Sequence, residues 1–158
     1  MQRIVIIGTS CSGKTTLAKT ISSKLNIKHI ELDELHWKPE WIKRETEDFK
    51  KLVAKEIKEK SWVADGNYSA IREILWSRST TIIWLNYPFT TVLYRAILRS
   101  FKRAKTKEVV CSANTESFKH SFFSNESIIL WVIKTHKINK EKYSKLFTNS
   151  TYSENMYY

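Results

Sequence analysis

Gly8-Thr9-Ser10-Cys11-Ser12-Gly13-Lys14-Thr15 has the spacing G-x-x-x-x-G-K-T, with Thr16 directly after it. This pattern is suited to hold a chain of phosphates, and each residue type in it has a task. Gly8 and Gly13 let the backbone turn sharply and approach a phosphate without an intervening Cβ. The N–H groups of Ser10, Cys11, Ser12, Gly13, Lys14 and Thr15 can point inward as an anion nest. A helix starting near Lys14 would aim its positive N-terminal end at the same point. In a nucleoside triphosphate site Lys14 reaches the β- and γ-phosphates and the Thr15 hydroxyl ligates Mg²⁺.

Three further groups of residues can carry chemistry. Asp33 closes an alternating stretch and Asp65 an apolar one, which places both at the carboxyl edge where ligands sit in open α/β sheets. Asp33 reads as an acceptor-orienting base or a partner of metal-bound water, with a helix cap as the plain alternative. Asp65 reads as a second functional acid at the same edge, with a turn residue before Gly66 as the alternative. Arg95, Arg99 and Arg103 recur at i, i+4 and i+8, and no acidic residue lies between Asn86 and Lys107. A solvated helix face is the plain reading of these arginines; phosphate binding suits their planar, bidentate guanidinium groups. His36, Trp37 and Trp41 either line an acceptor pocket or form a packed loop.

The elements that must position these residues follow from pattern. Ile4 to Ile7 form a buried strand leading into the loop, and a helix runs from about Lys14 to Leu25 with Leu17, Ala18, Ile21 and Leu25 on one stripe. A second strand spans Lys28 to Asp33 and a helix about Thr46 to Lys60. A third strand, Trp62 to Asp65, ends in Asp65-Gly66-Asn67-Tyr68. A short helix about Ala70 to Trp76 precedes a fourth strand, Thr80 to Leu85, and a helix after Pro88 runs to about Arg103. Residues 104–124 are weakly patterned and read as a mobile, lid-like loop. A helix about Asn125 to Lys137 and a basic stretch to Phe147 follow, then a polar tail, 148–158, that reads as frayed. Strands alternating with helices predict a parallel sheet with crossover helices. The class is α/β, a three-layer P-loop sandwich, with one domain over residues 1–147.

Composition narrows the alternatives. The chain has 158 residues and three glycines, where average usage of ~7% would give about eleven. Two of the three are Gly8 and Gly13, so glycine is kept where backbone geometry requires it. Apolar residues make up 42% and aromatics 13%, which is the composition of a folded core. No apolar run reaches the ~20 residues that a membrane-spanning helix needs. Because the sequence enters a strand at once, no signal peptide is expected. Cys11 and Cys111 make no disulfide framework. The expected location is cytoplasmic. The formal net charge of +11 favours phosphate-bearing partners, with weak nucleic-acid binding as one outcome and a solvated lysine surface as another.

With these residues in view, the chain resembles the adenylate-kinase-like P-loop kinases. More closely it resembles bacterial DNA topology modulation (FlaR-related) proteins. The residues carrying the likeness are Gly8 to Thr15, Leu32-Asp33-Glu34-Leu35-His36-Trp37-Lys38-Pro39-Glu40-Trp41, Asp65-Gly66-Asn67-Tyr68 and the arginine helix, over about residues 1–135. The resemblance implies ATP and Mg²⁺ at the P-loop, with Asp65 and Gly66 on the Mg²⁺ and acceptor side. It also implies Arg95 and Arg99 clamping the nucleotide phosphates. Asn86 stands where relatives commonly have Asp, and no apolar strand is evident near the end of the chain, so the last strand is expected to be missing. The expected function is phosphoryl transfer from ATP to a small acceptor. A nucleotide-dependent DNA-binding protein and a P-loop protein without transfer are the alternatives.

Overall fold

The structure is a computed structural model that describes residues 1–106, 109–110, 114–115, 127–149 and 156–157. Strand β1 (Arg3–Gly8) is the β-branched run before the phosphate-binding loop, and its last five residues are buried. It lies at the centre of a sheet in which every pairing is parallel. On one side β1 pairs with β3 (Trp62–Asp65), which pairs with β2 (Lys28–Glu31); on the other it pairs with β4 (Thr81–Leu85), which pairs with β7 (Met156–Tyr157). A strand flanked on both sides needs apolar residues on both faces. Val5 and Ile7 accordingly enter one core layer, with Leu32, Phe49, Val53 and Trp62, while Ile4 and Ile6 enter the other, with Ala18 and Val63. The register sets Ile6 beside Asp65 and Gly8 beside Leu85, so β1, β3 and β4 end together at one edge.

Helix α1 (Lys14–Leu25) covers the Ile4/Ile6 face through Ala18, Leu17 and Ile21; Leu25 is left exposed. The opposite face is covered by α3 (Thr46–Glu56) and α4 (Arg72–Trp76). The far half of α6 (Ile128–Asn149) covers it too, with Tyr143 and Phe147 against Trp84. Burial pushes the Tyr143 hydroxyl up to about 12. Helix α5 (Phe89–Thr106) packs on α6 in a smaller cluster of Val92, Ala96 and Val132, which Cys11 and Ile129 flank.

Several expectations change in detail. The second strand ends at Glu31, and Leu32–His36 form a short helix, α2, so Asp33 lies in a helical turn and not at a strand end. Leu32 is fully buried in the same core layer as Ile30, and the chain turns into α2 where the β2–β3 pairing ends, at Glu31–Asp65. Helix α3 stops at Glu56 with Ile57 still buried behind it, four residues short of Lys60. The separate helix and basic stretch near the end are one 22-residue helix, α6. The fifth strand is present, but only as the two residues of β7, drawn from the tail expected to fray. In the lid-like segment, β5 (Val109–Val110) and β6 (Asn114–Thr115) pair antiparallel, and β6 sits against Pro39–Trp41. The rest of 107–126, Cys111 included, lies outside the described residues. Among the described residues, no helix is long and apolar enough to cross a membrane.

Candidate active site

The loop from Gly8 to Thr15 leaves β1 at the shared carboxyl edge and enters α1. Three of its residues have positive φ: Gly8 (+153°), Cys11 (+63°) and Gly13 (+97°). Cys11 is a non-glycine residue in the left-handed region, a strained state that is held by its surroundings. Lys14 folds back over the loop, its ammonium donating to the Gly8 carbonyl at 2.9 Å and the Thr9 carbonyl at 3.1 Å. Burial lowers its pKa; the charges of Asp33, Asp65 and Cys11 act against that shift and Arg99 adds to it. The lysine therefore senses both predicted aspartates and one predicted arginine. The Ser12 N–H donates to the Thr9 carbonyl at 3.1 Å, closing the loop internally, and the Ser12 hydroxyl is buried. Ser10 is half-buried in the loop and Thr16 is exposed on the first turn of α1.

Asp65-Gly66-Asn67-Tyr68 is a strap at the end of β3: Asp65 and Asn67 tie it to the loop, Gly66 and Tyr68 to α2. Asp65, 3% exposed, accepts the Thr15 hydroxyl at 2.7 Å on Oδ2 and pairs with His29 Nε2 at 2.6 Å through Oδ1. Asn67 brackets Gly8, accepting its N–H at 3.1 Å and donating to its carbonyl. The Tyr68 hydroxyl donates to Asp33 Oδ1 at 2.6 Å. Gly66 has φ +147°, and a Cβ there would lie 2.9 Å from the Leu32 Cβ. Gly66→Ala is therefore expected to cost at least ~2 kcal/mol, from backbone strain and overpacking together. Urea denaturation would measure this; an unchanged midpoint would show that the strap is not pinned at Gly66.

The arginines approach the loop from α5. Arg95 Nη1 donates to the Ser12 carbonyl at 2.9 Å, and its guanidinium lies 4.4 Å from the Tyr87 ring centre. Arg99 Nη1 stands 4.0 Å from the Cys11 sulfur. Arg103 continues the row one turn farther along the helix, about 6 Å beyond Arg99. Among the described residues, no carboxylate lies within ion-pair distance of Lys14, Arg95 or Arg99. Three cationic groups thus converge on the loop with no ion-paired carboxylate among the described residues.

The other side of the edge is acidic and aromatic. Glu31 stands beside Asp65 in the strand register, and burial, then the Asp65 charge, raises its pKa. Asp33 is exposed. From Tyr68 the ring contacts run through His36 (4.4 Å) to Trp37 (5.0 Å) and Trp41 (5.6 Å). Burial lowers the His36 pKa, with Asp33 opposing. Backbone bonds Lys38 to Ile42 and Arg44 to His36 close this segment on itself. Glu40 and Trp41 both have positive φ, +63° and +55°, in the turn. Asn86 is exposed beyond β4 and adds no carboxylate. Sequence reading gave no role to His29, nor to Asn67 within its motif. The signal for His29 was available: it shares a strand face with Glu31, two residues on.

Among the described residues, no group of three or more acidic, histidine or cysteine side chains could hold a metal ion by itself. The Thr15–Asp65 pair instead fits a cation that arrives with phosphates, as Mg²⁺ does when one carboxylate and substrate oxygens share its shell. No curated protein matches the chain. Among solved structures, shikimate kinase from Acinetobacter baumannii in complex with shikimate is similar at TM-score 0.59 and 17% identity, over 100% of this chain and 83% of that one. A gluconokinase from Sinorhizobium meliloti 1021 aligns at TM-score 0.49 and 17% identity, over 85% of this chain and 74% of that one. A sugar kinase from Janibacter sp. HTCC2649 aligns at TM-score 0.43 and 20% identity, over 60% and 65%. The fold is the P-loop kinase fold of the first of these. The family profile described as AAA domain matches residues 4–132, well over half of the sequence, and the chain belongs to that family.

Proposed function

We propose that the protein is an ATP-dependent phosphotransferase acting on a small hydroxyl-bearing acceptor. The observation that carries this reading is the convergence of Lys14, Arg95 and Arg99 on the loop with no carboxylate partner among the described residues, facing Asp33 and Asp65 across the same edge. The Gly8–Thr15 backbone would cradle the phosphates. Lys14 would leave the Gly8 and Thr9 carbonyls for the β- and γ-phosphate oxygens, which compensate its charge better than neutral carbonyls do. Thr15 and Asp65 would hold Mg²⁺, which neutralises phosphate charge when bound.

The acceptor would lie along Asp33, Trp37 and Trp41. Its hydroxyl oxygen forms a bond to the γ-phosphorus as the bond from that phosphorus to the β,γ-bridging oxygen breaks. Asp33 accepts the hydroxyl proton or orients it, and ADP leaves. A nucleoside, a nucleotide or a metabolite hydroxyl fits this scheme. The net charge of +11 would then serve anionic substrates at the loop.

Thermal melting with and without ATP and Mg²⁺ tests the nucleotide half of the reading. At 100 times the dissociation constant, the ligand should add about 2.7 kcal/mol of stability, and Lys14→Ala should remove most of it. No shift of the wild type at millimolar ATP would refute the assignment. A panel of acceptors with ATP and Mg²⁺, read by ADP release, then tests transfer.

A further inference from the structure

We infer that His29 is a positioning residue for the cation site: by binding Asp65 Oδ1, it keeps Asp65 Oδ2 on the Thr15 hydroxyl. This rests on the nucleotide-and-cation reading above and deepens it. Asp65 is held at both oxygens, by His29 at 2.6 Å and by Thr15 at 2.7 Å. It is almost fully enclosed, so water cannot readily replace a lost partner, and an unmatched buried acceptor is costly. Glu31, in register with Asp65 one strand away, supplies a like charge. Without the imidazole, Oδ1 would be left buried without its partner, and the carboxylate would lose one of the two contacts that fix its orientation toward Thr15.

A purely structural role for His29 is poorly motivated. Strands β2 and β3 are already paired from Lys28–Trp62 to Glu31–Asp65, and an apolar β-branched residue would serve a strand better than a part-buried imidazole. Helix α1 supplies Thr15 while β3 supplies Asp65, and His29 adds a third element to the same point. Outer partners of this kind commonly change metal affinity 10–100-fold when removed.

The test compares wild type with His29→Gln, which keeps a side-chain N–H donor near Nε2, and His29→Leu, which keeps none. ATP binding is measured by calorimetry in EDTA, and Mn²⁺ binding to the protein–ATP complex by paramagnetic resonance. His29→Leu should weaken Mn²⁺ binding ~10–100-fold while ATP affinity in EDTA holds. His29→Gln should recover most of the loss. If His29→Leu proves unfolded by its melt without ligand, His29→Val, suited to a strand, takes its place. Wild-type Mn²⁺ affinity in the donor-less variant, or equal losses in the Gln and Leu variants, overturns the inference. Failure of the wild type to bind ATP would remove the nucleotide reading and this role together, and is seen in a separate arm.

Discussion

Arg99→Ala is expected to lower turnover by ~10²–10³-fold, the worth of one charge-stabilising donor at the transferring group. Arg99 is placed for this: its guanidinium reaches Cys11 at the crown of the loop, its charge is felt by Lys14, and no carboxylate among the described residues neutralises it. In the transition state charge spreads over the equatorial oxygens of the phosphoryl group, where a second cation beside Lys14 gains most. Arg99→Lys should recover little, because an ammonium cannot bridge two phosphate oxygens in a plane. Steady-state ADP release with the best acceptor from the panel is the measurement. The fold should survive, since Arg99 is exposed on α5 and the helix packs through Val92 and Ala96. Turnover of Arg99→Ala within a few-fold of wild type would place the transferring phosphate elsewhere.

The two aspartates should fail differently. Asp33→Asn preserves shape and an oxygen for the Tyr68 hydroxyl, yet it removes the proton acceptor. Transfer should fall ~10²-fold or more while ATP binding stays nearly intact. Asp65→Asn strikes the other half of the edge. The buried carboxylate serves Thr15 and His29 at once, so its loss should weaken Mg²⁺-dependent use of ATP whichever acceptor is offered. Titrating ATP and Mg²⁺ separately in the two variants resolves the patterns. If both variants turn over like wild type, the acceptor edge does not do the chemistry proposed for it.

Much of the architecture follows from local pattern alone. The loop, the strand before it and the helix after it were legible because G-x-x-x-x-G-K-T constrains backbone, charge and helix start within eight residues. The β1, β3 and β4 strands were legible because a buried parallel strand needs an unbroken β-branched or apolar run, which Ile4–Ile7, Trp62–Ala64 and Ile82–Leu85 supply. Arg95 and Arg99 could be assigned to one helix face from spacing, and the missing acidic residues between Asn86 and Lys107 gave their charge direction.

What local pattern could not decide was pairing across the sheet. Asp33 looked like a strand end because its neighbours alternate; it is helical because the pairing of β2 with β3 stops at Glu31–Asp65, and only the packed sheet sets that. His29 looked like one polar residue on an alternating strand until β3 brought Asp65 within 2.6 Å of it, 36 positions away in sequence. Asn67 reaches Gly8 across 59 positions for the same reason. The two-residue β7 is too short to show a strand pattern of its own, and its backbone finds a partner in the open edge of β4. Periodicity within a segment records which face it buries. The distances that make a site come from strand order, because parallel pairing brings residues far apart in sequence to one edge.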